Sequence, residues 1–204
     1  MTTPVVVAID GPAGSGKSTV AKGIADALGL SVLDTGSMYR AITAIALRHD
    51  VDPSDAAQVT TLAETCELVV DGAVVVDGLD VTSQLRSPEV NGAVSVVAAH
   101  PGVRTALVQR QRVWVRAHGG GVVEGRDIGT VVFPDATVKV FLTASDDERA
   151  RRRALDEQPD SVARRDRLDK ARTASPLQAA ADAHVIDTTG RDPADVVAQV
   201  VGWL

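Results

Sequence analysis

The chain has one cysteine, five aromatic residues and no long apolar run, and these shortages exclude several classes of protein. The lone Cys66 rules out an intramolecular disulfide framework and is typical of a small buried side chain in a reducing compartment. No apolar stretch approaches the roughly 20 residues that a membrane span needs. The amino-terminal residues lack the charged and apolar regions of a cleavable signal. We therefore expect a cytoplasmic protein that is not bound to a membrane.

Positive charge is also scarce. The chain has 21 Lys and Arg against 27 Asp and Glu, and its net charge of −6 argues against a general nucleic-acid binder. Residues 149–172 depart from this balance, with nine bases and five acids. This stretch is either a solvated helix face or a site for an anionic ligand. The histidines have no metal-ligand spacing: His49, His100, His118 and His184.

The apolar pattern predicts an α/β fold. At 204 residues and 45% hydrophobic content, the chain can bury the core of one large domain, and that core must consist mainly of Val, Ala, Leu and Ile. Alternating strands and helices favour a parallel sheet built from βαβ units. Residues 67–76 interrupt this alternation with a β-hairpin, which we interpret as an insertion. Strands are predicted at 5–9, 30–33, 122–124, 138–143 and 185–186.

Residues 11–18 form the motif around which the chain is organised. They read Gly-Pro-Ala-Gly-Ser-Gly-Lys-Ser, the spacing of a phosphate-binding loop, between a predicted strand and a predicted helix. Glycines let the backbone curl so that its N–H groups and the helix dipole face a polyphosphate. Lys17 can reach the outer phosphates, and the Ser18 hydroxyl can ligate Mg²⁺. The chain is therefore predicted to bind a nucleoside triphosphate.

Further polar residues favour a small phosphotransferase. A guanine-reading Asn-Lys-x-Asp is absent, and strand 138–142 does not end in an acid as a motor ATPase would usually require. Transfer of a phosphoryl group needs cations around the moving group. Arg126 and Asp127 follow a strand, at the edge where α/β sheets bind ligands. Arg165, Asp169 and Arg172 share one face if they lie on a helix.

Three further segments give the chain its resemblance to bacterial cytidylate kinases. They read Asp-Thr-Gly-Ser-Met-Tyr-Arg at 34–40, Glu-Gly-Arg-Asp-Ile-Gly-Thr-Val-Val-Phe-Pro at 124–134, and Arg-Asp through Ser-Pro-Leu at 165–177. The resemblance spans nearly the whole chain. It implies transfer of a phosphoryl group from ATP to CMP or dCMP in pyrimidine nucleotide metabolism, with Mg²⁺ bound at Ser18. We expect the protein to be a monomer.

The resemblance also implies a three-layer core of the P-loop NTPase type, with a parallel sheet flanked by helices, a β-containing insertion that binds the nucleoside monophosphate, and a short lid. The core would comprise residues 1–36, 120–148 and 180–204, the acceptor region 37–119, and the lid about 155–176. The segment between Arg153 and Arg165 is shorter than is usual in the family. Leu168 stands where the family often has a polar residue.

The same resemblance assigns roles to individual residues. Lys17, Arg126, Arg165 and Arg172 are implied to be catalytic, and Ser18 to hold the metal. ATP would be bound by Gly11, Pro12, Ala13, Gly14, Ser15, Gly16, Lys17, Ser18, Thr19 and one of Arg152 and Arg153. The acceptor would be bound by Thr35, Tyr39, Arg40, Ser95, Arg104, Arg126, Asp127, Arg165, Asp169 and Arg172.

Two other functions remain open from the sequence. A kinase that acts on the hydroxyl group of a small metabolite would need a carboxylate base, for which Asp34 is a candidate. A regulatory module would bind the nucleotide without catalysis, although the intact Lys17 and Ser18 argue against it. Release of ADP that depends on a particular acceptor distinguishes these possibilities.

Overall fold

A computed structural model divides the chain into two compact units, and the structure describes residues 4–155 and 177–204. The first unit comprises Met1–Asp34 and Arg112–Leu204, and the second comprises Thr35–Gln111. The division into a core, an acceptor region and a lid stays a prediction. The stretch expected to form the lid lies almost wholly outside the described residues.

The strands of the described residues follow the valine-rich runs of the sequence. In chain order they are β1 (Val5–Asp10), β2 (Val32–Asp34), β3 (Leu68–Asp71), β4 (Ala73–Val76), β5 (Leu79–Asp80), β6 (Gly120–Gly125), β7 (Val138–Thr143) and β8 (His184–Asp187).

The helices of the same residues alternate with these strands. In chain order they are α1 (Lys17–Leu28), α2 (Thr35–Arg48), α3 (Ala56–Thr65), α4 (Pro88–Val97), α5 (Pro101–Ala117), α6 (Asp146–Leu155) and α7 (Pro193–Val201). A 3₁₀ turn covers Thr82–Gln84, and a π-helical turn covers Ile128–Val132.

The first unit is built on a five-stranded parallel sheet, in the order β2-β6-β1-β7-β8. The sheet is flanked by helices, which confirms the predicted fold class. In the register of the central strands, Ile9 lies beside Glu124 and Asp10 beside Gly125. Asp34 of β2 also lies beside Glu124. The carboxyl ends of β1, β2 and β6 therefore place three acidic residues at one edge of the sheet.

Helices α1 and α7 pack together against one face of this sheet. Their buried residues join those of the central strands in one apolar cluster, which includes Ile9, Ile24, Leu142 and Val200. Each of these side chains is fully buried, or almost so, and full burial of a Val, Leu or Ile side chain contributes about 1.5–3 kcal/mol. Because α1 begins inside the phosphate-binding motif, at Lys17, this packing fixes the end of the helix that faces the loop.

The second unit contains a three-stranded antiparallel sheet in the order β3-β4-β5, together with α2, α3, α4 and most of α5. The predicted hairpin is confirmed as β3 and β4, but β5 was not predicted. Asp77 and Gly78 join β4 to β5 with φ of 49° and 79°, values that suit the tight turns of two-residue hairpins. The Asp77 side chain also accepts a hydrogen bond from the Glu67 N–H at 2.7 Å.

Two other local features differ from the sequence prediction. The Pro-Gly pair at 101–102 predicts a helix break at 100–102. The break instead covers residues 98–100, because α5 begins at Pro101, whose fixed φ suits the first position of a helix. The π-helical turn after β6 was not predicted, since its bonds join main-chain groups, such as the Phe133 N–H to the Ile128 carbonyl at 2.7 Å. Within the described parts of the chain, no helix is long and apolar enough to cross a membrane.

We predict that Asp192→Ala lowers the free energy of unfolding by about 1 kcal/mol, because Asp192 caps α7. Its side chain accepts a hydrogen bond from the Ala194 N–H at 2.8 Å, and α7 covers the core of the first unit. Asp195→Ala is the matched control, since this exposed acid lies in the first turn without being the cap. It should cost only a few tenths of a kcal/mol. Equal losses in urea titrations of the two variants would contradict the assignment.

Candidate active site

The loop between β1 and α1 contains the phosphate-binding motif, and two of its glycines occupy positions that other residues do not fit. Gly16 precedes α1 with φ of 90°, in the left-handed region that favours glycine. A Cβ atom on Gly11 would collide with the carbonyl oxygen of Leu142 in β7. The loop therefore takes a curled path against the end of the sheet.

The first turn of α1 presents main-chain N–H groups beside this loop. No side chain caps the helix, and its first turn has no acidic residue. The first N–H groups of a helix lack partners within the helix and carry the positive end of its dipole, so they favour an anion. Residues 11–19, which were predicted to bind ATP, thus form a loop and helix end suited to phosphate groups.

Lys17 lies among charges of both signs. Its Nζ donates a hydrogen bond to the Pro12 carbonyl oxygen at 2.9 Å. Desolvation and the nearby Arg126 guanidinium lower the pKa of Lys17 to about 8, although Glu124, Asp34 and Asp10 act in the opposite direction. Lys17 is therefore still mainly protonated at pH 7, and its charge is available to a phosphate group.

Ser18 and Glu124 bring two oxygen ligands together at the start of α1. The Ser18 hydroxyl donates a hydrogen bond to Glu124 Oε2 at 3.0 Å, and Glu124 is buried at the end of β6. No cluster of three or more His, Cys, Asp and Glu in residues 4–155 and 177–204 could hold a metal ion by itself. Mg²⁺ usually binds one or two carboxylates together with phosphates and water, so a hydroxyl and a carboxylate fit this ion.

Side chains from α6 and from the end of β8 hold the carbonyl groups of the loop. Arg149 donates to the Ala13 carbonyl at 3.3 Å, and Arg152 donates to the Gly14 carbonyl at 3.3 Å. The buried Thr188 donates to the Ser15 carbonyl at 3.0 Å. These bonds to its carbonyl groups stabilise the curled shape of the loop.

Arg152 is engaged by several protein groups in addition to the loop. Its guanidinium also donates to Thr188 Oγ1 at 2.9 Å, to the Thr188 carbonyl at 2.8 Å and to Glu148 Oε1 at 2.8 Å. Arg153 is buried, with 7% of its surface exposed. The predicted contact of Arg152 or Arg153 with ATP stays a prediction, and the observed contacts of Arg152 assign it a role in supporting the loop.

Asp10, the last residue of β1, binds the segment that follows β6. Its two carboxylate oxygens accept hydrogen bonds from the Ile128 N–H at 2.7 Å and the Gly129 N–H at 2.8 Å. Burial raises the pKa of Asp10 to about 6, and the nearby charge of Asp127 acts in the same direction. The two N–H donors and Lys17 oppose this shift because they stabilise the ionised carboxylate.

Arg126 and Asp127 lie at the same edge of the sheet as the phosphate-binding loop. The charge of Arg126 acts on Lys17, and that of Asp127 acts on Asp10. Asp127 is buried, with 5% of its surface exposed. The first unit therefore brings Arg126 and Asp127, which were predicted to bind the acceptor, close to the residues predicted to bind ATP.

In the second unit, Arg104 and Tyr39 lie in contact. The Arg104 guanidinium carbon is 5.8 Å from the centroid of the Tyr39 ring, within range of a cation–π interaction. Arg104 is 7% exposed, and it donates to the Ala98 carbonyl at 3.5 Å. The ring and this carbonyl therefore orient a guanidinium that was predicted to bind the acceptor.

The other predicted acceptor residues of this unit lie on α2 and α4, which pack against each other. Arg40 donates to Asn91 Oδ1 at 3.4 Å, and Asn91 in turn donates to the Arg86 carbonyl at 2.9 Å. Thr35 is buried at the first residue of α2, and Ser95 is half-buried on α4. Asn91 was not predicted, and it restricts the orientation of Arg40.

Three predicted site residues, Arg165, Asp169 and Arg172, lie outside the described residues. In contrast, the structure adds Glu124, which the sequence argument missed. That argument asked only whether strand 138–142 ends in an acid, yet the valine-rich strand at 122–124 does so. Applying the same criterion to every predicted strand would have found Glu124.

Comparison with known families and proteins gives a consistent result. Residues 7–204 match the family model described as cytidylate kinase. The chain is 48% identical to the cytidylate kinase of Mycolicibacterium paratuberculosis (strain ATCC BAA-968 / K-10), over 97% of this chain and 93% of that protein. It is 49% identical to a bifunctional pantoate ligase/cytidylate kinase of Prochlorococcus marinus (strain MIT 9303), over 98% of this chain. It spans only 45% of that bifunctional relative.

Solved structures show a similar fold at low sequence identity. A gluconokinase from Sinorhizobium meliloti 1021 gives a TM-score of 0.54 at 12% identity and covers 100% of this chain and 93% of its own. A shikimate kinase from Acinetobacter baumannii gives 0.51 at 16% identity, with 98% and 92% covered. At these identities the likeness concerns the fold alone.

We predict that Asp10 makes the folded protein less stable as the pH rises from about 4 to about 6. Its pKa is about 6 in the folded protein against an ordinary value of 3.8, so over this interval the folded protein keeps a proton that the unfolded chain has released. Unfolding then releases that proton, and the free energy of unfolding falls as the pH rises. The full effect is about 3 kcal/mol, at about 1.4 kcal/mol per unit of pKa shift.

Urea titrations across this pH range measure the effect. Asp10→Asn should lack this component, whereas Asp26→Asn, the same chemical change at an exposed position of α1, should retain it. Parallel pH profiles for wild type and Asp10→Asn would show that Asp10 titrates normally.

Proposed function

Because the chain belongs to the cytidylate kinase family, we propose that it transfers the γ-phosphoryl group of ATP to the phosphate of CMP or dCMP, giving ADP and CDP or dCDP. One observation in particular supports the proposal. Arg126 and Asp127 directly follow β6 and lie close enough to the phosphate-binding loop for Arg126 to lower the pKa of Lys17. A cation and a carboxylate thus adjoin the proposed ATP site. The cation suits the phosphate of an acceptor nucleotide, and the carboxylate suits its base.

We assign selection of the base to Asp127. Cytosine carries an exocyclic amine where uracil carries a carbonyl. At that position a carboxylate can accept a hydrogen bond from cytosine, whereas it would face an acceptor oxygen in uracil. A buried polar group that is left unpaired by the wrong ligand lowers affinity for that ligand. Asp127 is buried at the end of a strand, where such a mismatch is costly. In the second unit, the family pattern assigns the base to Ser95 and Arg104 and the acceptor phosphate to Thr35 and Arg40.

Catalysis requires positioning and neutralisation of charge. The phosphate of the acceptor is already anionic near neutral pH, so no general base is needed to activate it. Lys17 and Arg126 would stabilise negative charge on the phosphoryl group as it moves, and main-chain N–H groups of residues 11–19 would hold the donor phosphates. Ser18 and Glu124 would hold Mg²⁺, which supplies further positive charge against the phosphate oxygens.

The proposed reaction can be tested by measuring ADP release with a set of different acceptors. We expect rapid ADP release from Mg-ATP in the presence of CMP or dCMP, and much slower release with UMP, AMP or shikimate. The coupled assay should use equal acceptor concentrations and a control without acceptor. Rapid release with shikimate would indicate a kinase of a hydroxyl metabolite, and equal release without any acceptor would indicate simple hydrolysis.

Lys17→Ala should remove most activity, while its circular dichroism spectrum shows that the protein stays folded.

We predict that Asp127→Ala raises the KM for CMP roughly 10- to 100-fold, since a hydrogen bond that involves a charged group contributes about 1.5–3 kcal/mol. The KM for ATP should change by less than about threefold, because ATP would bind the loop and the start of α1. Asp135→Ala, which removes an exposed acid of the same unit, is the matched control and should leave both constants unchanged. Equal losses for CMP and ATP in Asp127→Ala would indicate a structural role.

A further inference from the structure

The segment that contains Arg126 and Asp127 is held by a side chain from a different strand. Asp10 ends β1, and its carboxylate accepts one hydrogen bond on each oxygen, from the Ile128 and Gly129 N–H groups at 2.7 and 2.8 Å. Asp10 is 4% exposed, so water does not offer these donors an easy alternative. The bonds join residues 118 and 119 positions apart in the chain.

These bonds act directly on Asp127. The Ile128 N–H belongs to the peptide plane that begins at the carbonyl carbon of Asp127, and this plane is rigid. Fixing the Ile128 nitrogen therefore fixes the direction in which the main chain leaves Asp127. The Asp127 carbonyl oxygen also accepts hydrogen bonds from the Val131 and Val132 N–H groups at 2.9 and 3.2 Å. The residue is consequently held on both sides of one peptide group.

Gly129 restricts the segment from the other direction. A Cβ atom on Gly129 would lie 3.2 Å from Lys139 Cδ and 3.4 Å from Asp10 Oδ2. The buried Lys139 cannot easily withdraw, because its Nζ binds both carboxylate oxygens of Asp182 at 2.7 and 2.9 Å. Gly129 therefore lies close to both the Asp10 carboxylate and the aliphatic part of Lys139.

The ionised form of Asp10 is electrostatically unfavourable at this position. The neighbouring Asp127 opposes ionisation of Asp10, and burial opposes it further. A neutral asparagine would avoid both effects, but it has only one acceptor oxygen and its amide group would face the second N–H donor. The two donors therefore account for a carboxylate at this position.

We propose that Asp10 is a positioning residue for acceptor recognition: through the Ile128 and Gly129 N–H groups it sets the place of Asp127 and of the adjoining Arg126. The residue that ends the strand of the ATP loop thus determines how the acceptor is read, without touching either nucleotide. This inference rests on the proposed function of Arg126 and Asp127, and its test is designed so that the two can fail separately.

The test compares kinetic constants of wild type and Asp10→Asn at pH 7.5. We expect the KM for CMP to rise about tenfold, the size of effect that follows when one hydrogen-bonded contact is misplaced. The ratio of kcat/KM for CMP to that for UMP should fall about fivefold, since Asp127 no longer meets the base correctly. The dissociation constant of ATP, measured by calorimetry without acceptor, should change less than threefold. A loss of stability alone would change neither the KM for CMP nor the ratio of kcat/KM for CMP to that for UMP.

A second variant reaches the same contact from its other side. Gly129→Ala adds a methyl group 3.2 Å from Lys139 Cδ and 3.4 Å from Asp10 Oδ2, so the atoms around this contact must shift by a few tenths of an ångström. It should raise the KM for CMP in the same direction as Asp10→Asn. The double variant should be less impaired than the product of the two single effects, because both changes disrupt one contact. If Asp10→Asn does not fold, Gly129→Ala alone decides the outcome through its CMP-to-UMP ratio.

The controls separate the possible failures. Asp26→Asn, an exposed change of the same kind on α1, should match wild type in every constant. If wild type does not phosphorylate CMP, the proposed function is wrong. If wild type does so and Asp10→Asn has unchanged CMP constants, only the positioning role is wrong. Equal losses of CMP and ATP affinity would also overturn it, because Asp10 would then act on the phosphate-binding loop.

Discussion

The parallel pairing of β1 with β6 is the interaction on which the site depends. The pairing sets Val5 beside Gly120 and Asp10 beside Gly125, so two segments more than 100 residues apart end at the same edge of the sheet. This register places the phosphate-binding loop beside the end of β6, where Ser18 contacts Glu124. A shift by one residue would turn the side chains of a strand to the opposite face, and these contacts would be lost.

Features that arise from neighbouring residues could be predicted from the sequence. The spacing of its glycines identifies the phosphate-binding loop. The capping residues Ser87, Ser145 and Asp192 identify the starts of three helices. Their side chains accept the expected hydrogen bonds from Val90, Glu148 and Ala194. The local chemistry of a cap or a turn is complete within four residues, so no knowledge of the rest of the fold is needed.

The contacts that assemble the site could not be predicted in the same way. Asp10 accepts hydrogen bonds from the Ile128 and Gly129 N–H groups, and Thr188 donates one to the Ser15 carbonyl, so these bonds join distant segments. Sequence patterns give no register between strands and no direction for a side chain at a strand end. The omission of β5 has a different cause. Asp77-Gly78 is a recognised hairpin signal, but the predicted hairpin ends at residue 76 and does not use it.

The hydrogen bonds from α6 and Thr188 to the loop affect whether the phosphate-binding motif can be moved into another protein. Residues 11–18 do not hold their shape by local contacts alone, because three carbonyl groups of the loop accept hydrogen bonds from Arg149, Arg152 and Thr188. These partners follow the motif by more than 130 residues. The smallest unit that preserves the curvature of the loop therefore includes α6 and the end of β8. A scaffold that received the eight residues alone would have to supply equivalent donors of its own.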